Sequence, residues 1–343
     1  MPPSSPSRVA TLVLFHNGYG DYVMALPTLR AFCATAQRPL ALAVGDGPQL
    51  FLLNELDPDL LLPLTYEQNW PSKDFDPSYV LSRITGCDTF LSLCPYESSG
   101  ERLLVKALGP RRSIGFSDAC EQRLPYKTSR QHEIDVLFQT ASCLAPGVII
   151  EDFSQPIAFT PEILSTTARM KAAFDRSAVL VVTHVETRPE RTYPRDRFDR
   201  LLNVWTNREG VFALLLNENR DLWPAAAANG RCGFLRGASL QQSMAIAASA
   251  DVFIGVDSCM LHVADLARRP GVGLFSPTDP RRVGFRFSPR PTVQELRAIP
   301  AMNSFDDDMV LAAGFSLIDR ATANQANQCA AQRRGELESS ADR

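Results

Sequence analysis

The sequence predicts an α/β protein with two parallel-sheet domains, and three observations support this fold class. The 343 residues suffice for two domains of ordinary size. Hydrophobic residues make up 45% of the chain and charged residues 21%, as in globular proteins. Short apolar runs of strand type alternate with helical segments through both halves, and this alternation is typical of parallel sheets covered by helices.

The first half of the chain contains the predicted N-terminal domain, residues 8–160. Its first strand is Val9–Phe15, because this run is short, continuous and apolar. A helix from Tyr22 to Thr35 follows. Further strands are predicted at Leu40–Val44, Asp88–Leu93 and Arg112–Phe116. A second helix is predicted at His132–Leu144. Prolines within 153–161 change the character of the chain and place the domain boundary near there.

The second half repeats the alternation and predicts a C-terminal domain, residues 161–305. Its predicted strands are Val179–Thr183, Val211–Leu216, Val252–Val256 and Val272–Phe275. Its predicted helices include Asp196–Thr206 and Leu240–Ser249. An amphipathic helix, Met309–Ala321, follows. We assign residues 306–321, which contain it, as a separate C-terminal unit. From Thr322 the chain is polar and poor in large apolar residues, which predicts a disordered tail over 322–343.

The segment from Ala250 to Pro280 is the most informative part of the chain, because it is a βαβ unit with a polar turn after each strand. Ligands of such units collect beyond the carboxyl ends of the strands. Asp257 and Ser258 open the helix, where they can cap its free N–H groups. The same N–H groups, with the helix dipole, suit a phosphate. The segment therefore predicts an anionic ligand.

Charge and cysteine content exclude several classes of protein. A net charge of −3 argues against a chain that coats nucleic acid. The eight cysteines form no CxxC pair and have no histidine spacing suited to zinc, which predicts reduced thiols and no metal site. Residues 1–7 carry none of the features of a signal peptide, and no apolar stretch is long enough to cross a membrane. We expect a cytoplasmic protein.

The loop after the first strand carries Gly18, Gly20 and Asp21. The two glycines let the backbone approach a ligand closely and permit positive φ. Val23 stands where a dinucleotide-binding loop has its third glycine, so this is not that motif. An aspartate at a helix N-terminus can cap the helix, or at the mouth of a sheet it can be a general base. The sequence leaves both roles open.

Two further features follow predicted strands of the second half. Arg188 and Arg191 lie in a loop rich in arginine, a residue that binds phosphate with two hydrogen bonds. Such a loop is also typical of a solvated surface, and its place at a strand end favours binding. His262 lies one turn into the helix after Asp257. A lone histidine on a helix is more often a packing residue than a catalyst, and in this context a binding role is favoured over proton transfer. His184 ends a strand and is a candidate for lining a cleft.

These loops together resemble glycosyltransferase family 9, the heptosyltransferases, which have the GT-B fold of two Rossmann-like domains facing a cleft. Residues 15–32 resemble the opening strand, glycine loop and helix of that family. Residues 191–198 resemble its K-x-W-P-x-x-x-F element, residues 257–264 its D-[ST]-G-x-x-H-x-A element, and residues 276–280 its G-P-T-D-P turn. The similarity extends over 9–320, although 45–175 contributes little.

The resemblance implies a role for each matching residue. Asp21 would be the catalytic base of an inverting, metal-independent transfer. The residues implied for donor binding are Gly18, Gly20, Arg191, Asp257, Ser258, Leu261, His262 and Thr278. Further candidates for lining the cleft are His184, Arg188, Tyr193 and Cys259. The N-terminal domain would bind the acceptor, the C-terminal domain would bind the donor, and residues 306–321 would pack back on the N-terminal domain. No cofactor or metal is implied.

Four positions depart from the family pattern. Arg191 replaces a lysine and Tyr193 a tryptophan, and Cys259 and Ser276 stand where the family has glycine. If the helix N-terminus holds a diphosphate, its positive field should lower the pKa of the Cys259 thiol.

The implied function is transfer of a sugar, by resemblance a heptose from ADP-heptose, to a hydroxyl of a glycan, a lipid-linked acceptor or a small molecule. The alternatives are a sugar-nucleotide epimerase and a catalytically silent protein that binds nucleotide sugars.

Overall fold

The computed structural model describes residues 6–65, 74–126, 130–173 and 178–341, with side chains as far as residue 327. It divides into two compact units, Met1–Gln155 and Pro156–Arg343. The division lies near the domain boundary predicted at residue 160. Within the described ranges, no helix is both long enough and apolar enough to cross a membrane.

The N-terminal unit is built on one parallel sheet. Its described strands are β1 (Ser7–Phe15), β2 (Leu40–Gly45), β3 (Leu60–Leu64), β4 (Ile84–Ser92), β5 (Arg112–Gly115) and β6 (Gln122–Arg123). They lie in the order β3-β2-β1-β4-β5-β6, and every pairing is parallel. The described helices are α1 (Tyr19–Thr35), α2 (Ser78–Leu81), α3 (Ser99–Leu108) and α4 (Glu133–Leu144).

The first strand and helix form the centre of this unit. β1 is the middle of the sheet, and its residues from Leu12 to Phe15 are fully buried. α1 is apolar nearly all round, as expected of a helix that is covered by protein on several sides. The Tyr22 hydroxyl donates a hydrogen bond to the Phe15 carbonyl at 3.0 Å. This bond ties the start of α1 to the end of β1 and fixes the loop between them.

The C-terminal unit is a second parallel sheet of the same design. Its described strands are β7 (Val179–His184), β8 (Val211–Leu216), β9 (Cys232–Leu235), β10 (Val252–Val256), β11 (Gly271–Phe275) and β12 (Val293–Arg297). Their order is β12-β11-β10-β7-β8-β9, again with parallel pairings. The described helices are α5 (Pro161–Ala173), α6 (Arg195–Thr206), α7 (Pro224–Asn229), α8 (Leu240–Ala248), α9 (Cys259–Leu266), α10 (Pro280–Val283) and α11 (Asp307–Ala341).

The predicted α/β class is confirmed, and each sheet has the strand order of a Rossmann fold, 3-2-1-4-5-6, counted along its own unit. In such a sheet the order reverses between two neighbouring strands, and ligands bind beyond their carboxyl ends. The reversal lies between β1 and β4 in the N-terminal unit and between β7 and β10 in the C-terminal unit. We therefore expect ligand sites beyond the carboxyl ends of these two strand pairs.

The last helix, α11, belongs to the C-terminal unit. Its buried residues are part of the core of that unit: Val310, Ala313, Leu317 and Ile318. A side chain at Gly314 would come within 2.6 Å of the Trp205 ring, so α11 lies directly on α6. The Asp307 carboxylate accepts hydrogen bonds from Tyr193 at 2.8 Å and from Arg197 at 2.7 Å. The apolar face of residues 306–321 is thus used in the C-terminal core, and their packing on the N-terminal domain stays a prediction.

The tail from Thr322, expected to be disordered, is helical in the structure as far as Ala341, because α11 continues into it. The tail is rich in alanine, glutamine, glutamate and arginine, which have high helix propensity. Extension of an existing helix fixes one residue for each new hydrogen bond, so a packed first half can propagate into a polar second half. The last two residues of the predicted tail lie outside the described ranges.

Candidate functional site

Polar side chains gather at the carboxyl ends of β7 and β10, where the strand order of the C-terminal sheet reverses. His184 is the last residue of β7, and Asp257 and Ser258 follow β10 directly. Gly255 lies opposite His184 in the register of the two strands. A side chain at Gly255 would meet the His184 carbonyl oxygen at 2.7 Å, so only glycine lets the two strands bring their ends this close.

Arg191 and Asp257 form the central ion pair of this site. Arg191 ends a short turn of 3-10 helix in the loop after β7, and its Nη1 lies 2.9 Å from Asp257 Oδ2. This contact is an ion pair without well-aligned hydrogen-bond geometry. His262 Nε2 lies 3.8 Å from the other carboxylate oxygen. Asp257 and His262 are buried and Arg191 is half-buried, so the carboxylate holds a cation at the N-terminal end of α9.

Around this pair lie buried polar atoms that have no hydrogen-bond partner in the described part of the chain. They are Oγ1 of Thr183, Thr187 and Thr278, Oγ of Ser258 and Ser276, Nδ1 of His184 and His262, and Nε of Arg191. A buried polar atom without a partner costs about 1–3 kcal/mol. Eight such atoms along the ends of β7, β10 and β11 therefore indicate a place that binds a polar ligand or water.

Both histidines of the site are neutral at pH 7. Burial lowers the pKa of His184 to about 4. Burial also lowers the pKa of His262. The negative charge of Asp257 raises this pKa and the positive charge of Arg191 lowers it, and the net shift is downward. A neutral imidazole donates with one nitrogen and accepts with the other. The positive charge of the site therefore comes from Arg191 and from the N-terminal end of α9.

The residues that open α9 differ in part from the prediction. Ser258 occupies the N-cap position, but its side chain makes no capping hydrogen bond, so its hydroxyl is available to a ligand. The lowered pKa expected for the Cys259 thiol is wrong. Burial raises the pKa of this thiol to about 11, although the backbone N–H groups of Cys259 and Met260 act in the opposite direction. Desolvation of the thiolate outweighs the positive field of the helix end.

Four other predicted residues have different surroundings. Tyr193 lines no cleft, because it is fully buried and its ring stacks on Phe305 at 5.6 Å. The Leu261 side chain is also fully buried, in the first turn of α9. Arg188 is exposed in the loop that carries Arg191. Thr278 follows β11 and keeps a buried hydroxyl.

Asp21 lies in the N-terminal unit, in the first turn of α1 after β1. Its Oδ2 accepts a hydrogen bond from the Gly18 N–H at 3.1 Å, which closes a capping box from inside the helix. The predicted capping role is therefore present, and the carboxylate is still partly exposed. Gly18 has φ −70°, and neither Gly18 nor Gly20 adopts positive φ, so the predicted conformational need for glycine is absent at both. A Cβ at position 18 would lie 3.3 Å from Asp21 Oδ2, so the space kept for this carboxylate is what favours glycine there.

Two aromatic hydroxyls lie close to Asp21. The Tyr96 hydroxyl donates to Asn17 Oδ1 at 3.1 Å, which joins the loop after β4 to the loop after β1. The pKa values of Tyr96 and Tyr126 are raised, first by burial, and the negative charge of Asp21 contributes to both shifts. The reversal point of the N-terminal sheet therefore carries a carboxylate with phenol neighbours.

Glu218, which follows β8 at the same edge of the C-terminal sheet, was not predicted from the sequence. Its carboxylate is buried and accepts a hydrogen bond from Trp223 Nε1 at 3.0 Å. Burial raises its pKa, and the nearby charge of Glu186 adds to the shift. Asn217 before it has φ 61°, a left-handed conformation that asparagine adopts more readily than most residues. Thr183, Thr187 and Ser276 were missed as well, since single hydroxyls at strand ends give no sequence signal.

Within the described ranges, no three histidine, cysteine, aspartate or glutamate side chains lie close enough together to hold a metal ion.

Comparison with known proteins bears on the identity of this site. The model of glycosyltransferase family 9 (heptosyltransferase) matches residues 122–311, more than half of the chain. No curated protein sequence matches significantly.

Several solved structures share the fold. A family 9 glycosyltransferase from Veillonella parvula has a TM-score of 0.74 at 15% identity, over 91% of this chain and 98% of its own. E. coli ADP-heptose LPS heptosyltransferase II has a TM-score of 0.64 at 15% identity, over 91% and 99% of the two chains. E. coli heptosyltransferase WaaC with ADP has a TM-score of 0.62 at 16% identity, over the same shares.

The structural likeness establishes a fold of two Rossmann-like sheets, as in heptosyltransferases. The matched family region contains both the Arg191 loop and the start of α9. The chain therefore belongs to glycosyltransferase family 9, the heptosyltransferase family, and is a glycosyltransferase.

Proposed function

We propose that this glycosyltransferase moves a heptose from ADP-heptose to an acceptor hydroxyl, with inversion at the anomeric carbon and without a metal ion. The observation that supports it best is the row of unpartnered buried polar atoms around the Arg191–Asp257 pair. A diphosphate offers many acceptor oxygens and a negative charge, which complement hydroxyls, an arginine and a helix N-terminus. The structure of E. coli heptosyltransferase WaaC contains ADP, so a sugar linked to ADP is the first donor to test.

In this proposal the C-terminal unit holds the leaving group. Arg191 donates hydrogen bonds to the diphosphate, and the hydroxyls of Ser258 and Thr278 supply further donors beside α9. Asp257 fixes the guanidinium through its 2.9 Å ion pair. Negative charge on the departing diphosphate grows in the transition state, so these groups stabilise the transition state more than the bound donor.

Asp21 acts on the acceptor. Its carboxylate takes the proton of the acceptor hydroxyl while the hydroxyl oxygen bonds to the anomeric carbon. The bond from that carbon to the diphosphate oxygen breaks in the same step, and the nucleotide leaves with the electron pair. Attack opposite the leaving group inverts the anomeric configuration. The positive charge that a metal ion would supply comes from Arg191 and α9.

The experiment is a transfer assay with ADP-heptose and a panel of glycan, lipid-linked and small hydroxyl acceptors, analysed by mass spectrometry. We expect a product heavier by one heptose residue, with turnover that persists in excess EDTA. Donor binding without transfer to any acceptor would support the silent binding alternative, and release of an epimerised nucleotide sugar would support the epimerase alternative. Absence of ADP-heptose binding contradicts the proposal.

A further inference from the structure

The Gly18 N–H, which Asp21 caps from inside α1, has two acceptors. It lies 3.1 Å from Asp21 Oδ2 and 3.0 Å from Oδ1 of Asn17. Both contacts are hydrogen bonds, so this donor is divided between the carboxylate and the neighbouring amide. A carboxylate that receives part of an N–H is stabilised less in its charged form than one that receives the whole of it. The Asn17 amide therefore acts on the residue proposed as the base.

The orientation of the Asn17 amide is set from two sides. The Gly18 N–H can only donate, so the amide atom that faces it is the oxygen. The same oxygen meets the Tyr96 hydroxyl at 3.1 Å, and there the hydroxyl is the donor. Asn17 is 4% exposed, and Tyr96 comes from the loop after β4, the strand beside β1 where the order of the sheet reverses. A contact between two loops that are distant in sequence thus holds a buried amide oxygen beside the cap of α1.

Other titratable groups around Asp21 are two phenols and, behind them, one carboxylate. Burial raises the pKa values of Tyr96 and Tyr126, and the negative charges of nearby carboxylates add to both shifts. These carboxylates include Asp21 itself and Glu133, which accepts a hydrogen bond from the Tyr126 hydroxyl. Both phenols are therefore neutral over the pH range in which carboxylates titrate. Since an amide is also neutral, a change at Asn17 alters the hydrogen bonding of Asp21 and leaves these charges in place.

We propose that Asn17, held by Tyr96, is a positioning residue for the transfer reaction, because it takes a share of the Gly18 N–H and so leaves the Asp21 carboxylate in place and able to accept a proton. This inference rests on the proposed function for the role of Asp21 as the base. A carboxylate that is strongly stabilised as an anion is a weak base, so division of its donor favours removal of the proton from the acceptor hydroxyl. The capping box stays closed, and the carboxylate stays reactive.

NMR of the full chain measures this sharing without any transfer reaction. An amide proton bonded to a carboxylate changes its chemical shift when the carboxylate takes up a proton, so the Gly18 amide reports on Asp21. In Asn17→Ala the carboxylate receives the whole N–H, and the midpoint of the Gly18 titration should move to lower pH by about half a pH unit. Tyr96→Phe keeps the ring but releases the Asn17 oxygen, and its midpoint should move in the same direction.

A double-mutant cycle separates a role in catalysis from a role in folding. With ADP-heptose and the acceptor identified in the transfer assay, Asn17→Ala should lower kcat about tenfold and leave the KM for ADP-heptose unchanged. In the Asp21→Asn background the same substitution should cause no further loss, since the base is already gone. Asn54→Ala is the matched control, because it removes an exposed asparagine of the same unit and should change neither the midpoint nor kcat.

Two results overturn the inference: a Gly18 midpoint that does not move in Asn17→Ala, or equal losses of kcat from this substitution with and without Asp21. A shifted midpoint in a protein that transfers no sugar contradicts the proposed function. In that case Asn17 is still the residue that sets how readily Asp21 takes up a proton, so the two failures are distinguishable.

Discussion

Replacement of Arg191 by alanine is the sharpest perturbation of the donor site. Arg191 Nη1 lies 2.9 Å from Asp257 Oδ2, and only 4% of the Asp257 side chain is exposed. The variant leaves this buried carboxylate without its cation. Since 30% of the Arg191 side chain is exposed, solvent screens the pair, and we expect a loss of about 1–2 kcal/mol in the free energy of unfolding without ligand.

The effect on ligand binding should be larger than the effect on stability. A hydrogen bond to a charged group contributes about 1.5–3 kcal/mol, so ADP should bind about 10- to 150-fold more weakly to the variant. At an ADP concentration of about 100 times the wild-type Kd, the ligand stabilises the wild type by about 2.7 kcal/mol. A 100-fold weaker variant retains about 0.4 kcal/mol. With about 2–4 °C per kcal/mol for a domain of this size, the ADP-induced shifts in Tm should differ by about 5–9 °C.

Differential scanning fluorimetry with and without ADP measures this difference. Arg200→Ala is the control, because it removes an arginine that is 62% exposed on α6, outside the predicted site, and should keep the full ADP-induced shift. Arg191→Lys keeps the charge and should keep part of the shift. Equal ADP-induced shifts in the wild type and in Arg191→Ala would refute the assignment of this loop to the donor site.

Three other perturbations test separate parts of the structure. Asp21→Asn keeps an acceptor for the Gly18 N–H and should leave Tm unchanged, yet it should lower kcat by about two to four powers of ten, as measured in the transfer assay; full activity would make Asp21 a helix cap alone. Cys259, with its pKa raised to about 11, should react slowly with iodoacetamide at pH 8 and faster as the pH approaches 11. Mass spectrometry of the labelled protein measures this rate. Rapid labelling at pH 7 that ADP prevents would contradict the raised pKa. Burial raises the pKa of Glu101 from 4.5 to about 7, so the folded state keeps a proton that the unfolded state releases; its contribution to stability is present below about pH 4.5 and is lost as the pH rises to about 7. Glu101→Gln should flatten the dependence of Tm on pH in that window, and an unchanged slope would count against this pKa.

The sequence was most informative where function depends on a strand followed directly by a helix. The turn at Asp257 and Ser258 could be predicted, because alternation of apolar runs locates β10 and α9 within a residue or two. The arginine loop after β7 could be found for the same reason. Both features are formed by residues that are neighbours in the sequence, so they can be recognised without knowledge of the tertiary structure.

The residues that the sequence analysis misjudged depend on contacts between distant parts of the chain. Tyr193 was expected in a cleft, but it binds Asp307, which lies 114 positions away. Cys259 was expected to have a lowered pKa, because the field of a helix end can be read from sequence and the depth of burial cannot. Glu218 has no motif, and its place at the end of β8 becomes visible only once the sheet is assembled.

The central claim is that this chain transfers a heptose with inversion and without a metal ion. A proton NMR time course with ADP-heptose, an acceptor and excess EDTA tests it most directly, because the anomeric protons of donor and product are resolved in one experiment. We expect loss of the donor signal, equimolar release of ADP, and a product anomeric proton of the opposite configuration to the donor. A product with the donor configuration, or a reaction that stops in EDTA and resumes with added magnesium, would contradict the account.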